Sequence, residues 1–207
     1  MPLPSDWNVV VVGRWNRAIL TPAGIGTIIF NAAPETAMEV AVSIDAHLPH
    51  RVHHDDVWVV AASDRLIIEP DVHTYAELQK SKLYAARAVG DLSRTPMIAA
   101  GINVRREIEQ PSDQLSELAA DSDDGKLGGL GLNIVHRSLR RGVEWQGGVI
   151  NITVDREQGG SFVVGLNFDR QSKNPVELKS FLETPIEQLQ EIAESIATNY
   201  LGIGGFE

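Results

Sequence analysis

The sequence contains no cysteine. That excludes disulfide staples, thiolate metal sites and a cysteine nucleophile, and it fits a reducing compartment. No apolar run approaches the roughly 20 residues that span a bilayer. The opening MPLPSDWNVVVVG has neither the basic start nor the long apolar stretch of a signal peptide. Positive charge is also scarce, since 18 Lys and Arg against 28 Asp and Glu leave a formal net charge of -10. A surface of that sign repels a phosphate backbone, and the best basic patch, His136-Arg137-Ser138-Leu139-Arg140-Arg141, is short. The expectation is a soluble cytoplasmic protein without a membrane segment and without a nucleic-acid partner.

Several chemical signatures are missing too. There is no Gly-x-Ser-x-Gly, no P-loop and no dinucleotide fingerprint; VVVVGRWN has the strand but not the three glycines.

What is present is a chain of 207 residues, 43% hydrophobic, which is enough to bury a core within a single domain over residues 1–207. Trp7-Asn-Val-Val-Val-Val-Gly13 reads as a strand. Thr21 and Pro22 have the N-cap and first-turn signature of a short helix carrying Ile25, Ile28 and Ile29. Met38, Val40, Val42 and Ile44 alternate with polar positions, which predicts a half-buried strand. Two further strands are expected around a Ser63-Asp64 turn, and Thr74 with Glu77 opens a helix bearing Tyr75, Leu78, Ala85 and Val89 on one face.

From Met97 the same order starts again. MIAAG closes on Gly101 as VVVVG closes on Gly13, and Pro111 follows as Pro22 does. Leu115, Leu118 and Ala119 suit a short helix. Strands are then expected over LNIVHRSL, over GVINITVD with Ile150, Ile152 and Val154, and over SFVVGLNFD with Phe162, Val164, Leu166 and Phe168, with a Gly-rich turn from Arg156 to Gly160. Thr184, Pro185 and Glu187 cap a last helix whose stripe runs through Ile186, Leu189, Ile192, Ala193, Ile196 and Tyr200 to Gly202. The reading is therefore α+β: strand, short helix, three strands, long helix, twice over, with pseudo-repeats at about 7–94 and 95–202. Runs of consecutive strands favour antiparallel pairing. One mainly antiparallel curved sheet with the long helices on one face follows, and this element order resembles the duplicated TATA-box-binding-protein-like fold. GRWNRAILTP and RTPMIAAGIN together resemble a bacterial family of duplicated α+β proteins with no assigned activity.

Three stretches carry candidate chemistry. HLPHRVHHDD holds His47, His50, His53 and His54 followed by Asp55 and Asp56. On a helix, His50 and His54 would share one face and an aspartate could complete a two-imidazole, one-carboxylate metal set. Pro49 and the strand-like flanks argue instead for a connector or strand edge with solvated imidazoles, and the Glu of the metalloprotease motif is absent. GGLGLNIVHRSL, with GGSFVVGL after it, resembles the second glycine box and following strands of the histidine-kinase and gyrase ATPases. That resemblance implies phosphate cradling at a helix start. The chain departs from it in having no Asn between Thr74 and Asp91 and no Asp-x-Gly-x-Gly, which leaves a Gly-rich loop entering a strand. The carboxylates Glu107, Glu109, Asp121, Asp123 and Asp124 read as solvated, and no Glu stands at the twelfth position of a calcium loop.

Gly-apolar-Asn-apolar recurs at 101, 131 and 165, which places Asn103 and Asn167 on strands. There they either line a polar ligand site or cap backbone at strand ends. No catalytic, cofactor or metal residue is assigned. The expected function is a non-enzymatic protein-interaction or assembly module that binds itself or a basic partner; the alternative is a nucleotide- or metal-binding protein using the glycine or histidine stretch.

Overall fold

A computed structural model describes residues 7–45, 48–120, 124–156 and 160–206; the side chain of Asp124 is outside that description. The chain is α+β, built on a nine-stranded antiparallel open sheet in the order β2-β3-β4-β5-β1-β6-β9-β8-β7. The strands are β1 (Asn8–Gly13), β2 (Glu39–Ala41), β3 (Arg51–His54), β4 (Val57–Ala61), β5 (Arg65–Pro70), β6 (Met97–Ile108), β7 (Arg137–Trp145), β8 (Gly148–Arg156) and β9 (Phe162–Gln171). The helices are α1 (Pro22–Ile25), α2 (Tyr75–Asp91), α3 (Asp113–Leu118), α4 (Asp124–Gly129), α5 (Pro175–Leu182) and α6 (Ile186–Ser195). Among the described residues no helix is long and apolar enough to cross a membrane. The chain divides into two compact units: the first runs to Asn103 and takes in Phe168–Ile186, and the second holds Val104–Asn167 and Glu187–Phe206. β6 and β9 supply residues to both.

In the first unit β1 lies between β5 and β6. Val9 and Val11 are fully buried, while Val10 and Val12 on the opposite face are half-buried. The strand stops at Gly13, where the register slips and where a Cβ would lie 2.9 Å from the Pro96 carbonyl oxygen. Only glycine fits that approach. Thr21 caps α1 by accepting from the Gly24 N–H at 3.1 Å with Pro22 at the first turn, and the helix continues as a π-helical turn, Gly26–Phe30, that ends on left-handed Asn31. Thr74 caps α2 by accepting from the Glu77 N–H at 3.3 Å. α2 packs on β1, β5 and α5. Leu78, Ala85 and Val89 supply its buried face, and Lys82 sits in the same stripe with no exposure at all. The stem replaces an apolar side chain there, and Nζ donates to the Thr184 carbonyl at 2.5 Å and to Gln79 Oε1 at 3.2 Å. Thr184 lies just past the C-terminus of α5, where unpaired carbonyls and the helix dipole favour a cation.

In the second unit the apolar alternation of β8 and β9 is realised: Ile150, Ile152, Val154, Val164 and Leu166 are buried. Leu115, Leu189, Ala193, Ala197 and Leu201 are buried as well. Gln146 and Gly147 both take positive φ in the turn between β7 and β8, as two-residue hairpins require. α6 runs into a π-helical turn, Ile196–Leu201, that stops at left-handed Gly202.

The structure corrects the sequence reading in five places. The strand expected to close on Gly101 runs on to Ile108, with Gly101 paired opposite Val10 inside it. The expected half-buried strand over Met38–Ile44 is a strand only at Glu39–Ala41, an edge of the sheet, and Val42 and Ile44, past its last residue, are 77% and 106% exposed. The histidine stretch, read as a connector or strand edge, supplies a strand of its own, β3, at Arg51–His54, so four strands rather than three follow α1. α5, introduced by Asn174 as N-cap and Pro175, lies where no helix was expected. The strand expected over LNIVHRSL begins only at Arg137. The turn expected at Arg156–Gly160 falls largely on residues 157–159, outside the described residues.

Replacing Lys82 by Met removes the charged donor from the carbonyl of half-buried Thr184. Lys82→Met is expected to cost about 1–3 kcal/mol, read as a lower urea midpoint at unchanged slope.

Candidate polar row on the open sheet face

The histidines sort themselves by strand alternation. β3 and β4 form a hairpin whose turn residues are Asp55 (φ 53) and Asp56 (φ 59), the two left-handed positions of a primed turn. Asp tolerates that conformation because its short side chain bonds locally, and here Tyr84 of α2 donates its hydroxyl to Asp55 Oδ2 at 2.8 Å. Period-2 geometry then turns His53 to one face of the sheet and Val52 and His54 to the other. His50, before the strand, has Nε2 3.2 Å from the Leu20 carbonyl; His54 stands edge-on to Phe30. His53 pairs with Asp71, Nε2 to Oδ2 at 2.7 Å, with Glu39 3.8 Å from Nδ1. These three histidines thus have three separate surroundings, and the helical pairing of His50 with His54 does not exist. Among the described residues no group of three or more His, Asp or Glu could hold a metal ion. His47 lies outside the described residues.

The face that carries His53 holds the chemistry of the first unit. Cross-strand register places Glu39 opposite His53, His53 opposite Trp58, and Trp58 opposite Glu69. Asn8 and Glu69 each stand one residue beyond the Val9–Ile68 pair, and Asn8 is opposite Asn103. A row of side chains therefore crosses β2, β3, β4, β5, β1 and β6. Its centre is Trp58, half-buried, with the His53 ring stacked at 4.6 Å and 28° and the Arg51 guanidinium 4.8 Å from the indole centroid. Arg51 Nη2 also donates to Glu69 Oε2 at 2.7 Å. Glu69 is only 7% exposed, so Arg51 neutralises a carboxylate that has been taken out of water. Asn103 Nδ2 donates to Asn8 Oδ1 at 2.7 Å, closing the row in hydrogen bonds.

The remaining sequence candidates fall elsewhere. Asn103 belongs to the row, whereas Asn167, in the second unit, accepts from Asn151 Nδ2 at 2.9 Å. Asn133 is exposed outside any strand. The glycine stretch holds α4 and an irregular exposed segment leading to β7, not a helix start that cradles phosphate. Glu107 and Glu109 are exposed, and Asp121 and Asp123 lie outside the described residues. Sequence reasoning missed Arg51, Trp58, Glu69 and Asn8. The available signal was Asp-Asp between two alternating runs, which sets His53 against Trp58 once it is read as a turn.

Burial, then the hydrogen bond to Asp55, pushes the Tyr84 phenol up to about 12 from 10.0. The neutral form is favoured in the fold, so this contribution to stability is full below pH 10.0 and is lost as pH rises toward about 12. Tyr84→Phe is expected to flatten the fall of the denaturation midpoint across that window; an unchanged fall would contradict it. Removing Arg51 strands a buried carboxylate, whereas Glu69→Gln removes the charge itself. Arg51→Ala is therefore expected to cost about 2–3 kcal/mol and Glu69→Gln about 1, measured by urea unfolding. No protein-family model matches this chain, and no curated protein matches it.

Proposed function

We propose that the chain is a non-enzymatic protein-interaction module, cytoplasmic, that binds through the open face of the first unit, with Trp58 as the anchor. The observation that carries the reading is the clamped indole: half-buried, flanked by Arg51 and His53, each of which is itself held by a carboxylate. Interfaces concentrate their energy in Trp, Tyr and Arg, and side chains already fixed in place lose little entropy on binding. Val10, Val12, Val60 and Ile67 lie half-buried on the same face and add apolar area around the anchor. The net charge of -10 suits a basic partner as well as a second copy that offers a local basic surface.

The same reading takes the chain as two fused repeats, about 7–94 and 95–202, arranged as in the TATA-box-binding-protein-like fold and related to duplicated bacterial α+β proteins. The support is a hydroxyl N-cap on the short helix of each half, Thr21 and Ser112.

The test compares native-lysate capture by the wild type and by Trp58→Ala. The expected result is a stoichiometric protein partner held by the wild type and at least tenfold weaker binding by the variant, about 1.4 kcal/mol. Equal binding by a folded variant would remove the anchor. A thermal-shift scan with ATP and divalent ions is expected to show no change; several degrees of stabilisation would move the chain to the nucleotide- or metal-binding class.

A further inference from the structure

The two edge strands of the sheet carry opposite charge and unmatched apolar rows. β2 is at one edge and β7 at the other. Native sheets blunt their edges with short strands, proline, bulges or inward charge, because a free edge offers unpaired N–H and C=O groups to another strand. β2 is short, at three residues, but β7 runs for nine without a proline and is exposed along most of its length.

At the β2 edge Val40, Val42 and Ile44 are exposed at 39%, 77% and 106%, and Ala41 and Ser43 between them keep the strict alternation of a strand. Val40 lies opposite buried Val52, and Glu39 lies on the other face, beside His53. At the β7 edge Leu139 and Val143 lie opposite buried Val154 and Ile150, while Arg140 lies on the other face, opposite Thr153.

From these placements we infer that the chain associates with a second copy of itself by setting the β2 edge of one copy antiparallel against the β7 edge of the next. The inference goes beyond the interaction reading above, because the contact uses the two sheet edges and not the face that carries Trp58. With Glu39 opposite Arg140, both faces match at once. Val40 then falls opposite Leu139 on the side where their sheet neighbours are buried, and Ala41 falls opposite Ser138 on the other. Glu39 is the one charged residue of β2, and Arg140 on β7 is its opposite in sign. The contact is heterologous, with different surfaces on the two copies.

The experiment is sedimentation velocity on the full chain across a concentration series at low and high salt. The wild type is expected to show mass above the monomer that rises with concentration and falls with salt. Glu39→Arg and Arg140→Glu, both at exposed sites, are each expected to weaken association about tenfold or more, because like charges then face each other. The double variant, which swaps the pair, is expected to restore it. Circular dichroism confirms that each variant is folded.

A wild type that is monomeric at every concentration overturns the inference, as does association indifferent to both single changes or a double variant no better than either. A monomeric wild type that keeps a Trp58-dependent partner removes the second copy alone and leaves the interaction reading standing. A chain with neither removes both.

Discussion

The placement of β1 between β5 and β6 governs the first unit. Val9 and Val11, with no exposure, bind the strand to the covered side, and a slip of one residue would turn both to the opposite face. That penalty holds the register, and the register in turn lines up side chains far apart in sequence. Asn8 comes opposite Asn103 because Val9 is opposite Ile102; Glu69 comes opposite Trp58 because Ile68 is opposite Val59. The polar row is a consequence of apolar burial on the reverse side of the same strands.

Three of the polar side chains buried along the way have partners, whereas the Ser81 hydroxyl, fully buried on α2, has no hydrogen-bond partner among the described residues. Glu69 has Arg51, Asn8 has Asn103, and Lys82 has the carbonyl beyond α5. Leaving any of these unpaired costs the desolvation of the group without a compensating bond, which makes each pair selective for one arrangement. The Arg51 pair has a second effect. By holding the guanidinium against Trp58 it fixes the indole from one side, while Asp71 fixes His53 on the other. Stability and the proposed surface recognition draw on the same contacts.

Local features are legible in the sequence. Thr21-Pro22, the Ser63-Asp64 turn, the Ile150-Ile152-Val154 alternation and the stop at Gly202 depend on neighbours within a few residues, and all appear in the structure. The histidine hairpin is not, because Asp55-Asp56 lacks the glycine that usually marks a primed turn. Lys82, a charged residue inside an apolar stripe, reads as an interruption until its partner, 102 residues away in sequence, is known. The row itself is non-local: Glu39, His53, Trp58, Glu69, Asn8 and Asn103 become neighbours only once six strands are paired, and no spacing along the chain encodes that.

Amide hydrogen exchange of the chain with and without the protein partner proposed for it addresses the central claim most directly. If the clamped indole is the anchor, slowed exchange should concentrate in Arg51–His54, Val57–Ala61 and Arg65–Pro70. Unchanged exchange across those three strands, with protection appearing only elsewhere in the chain, would contradict the account.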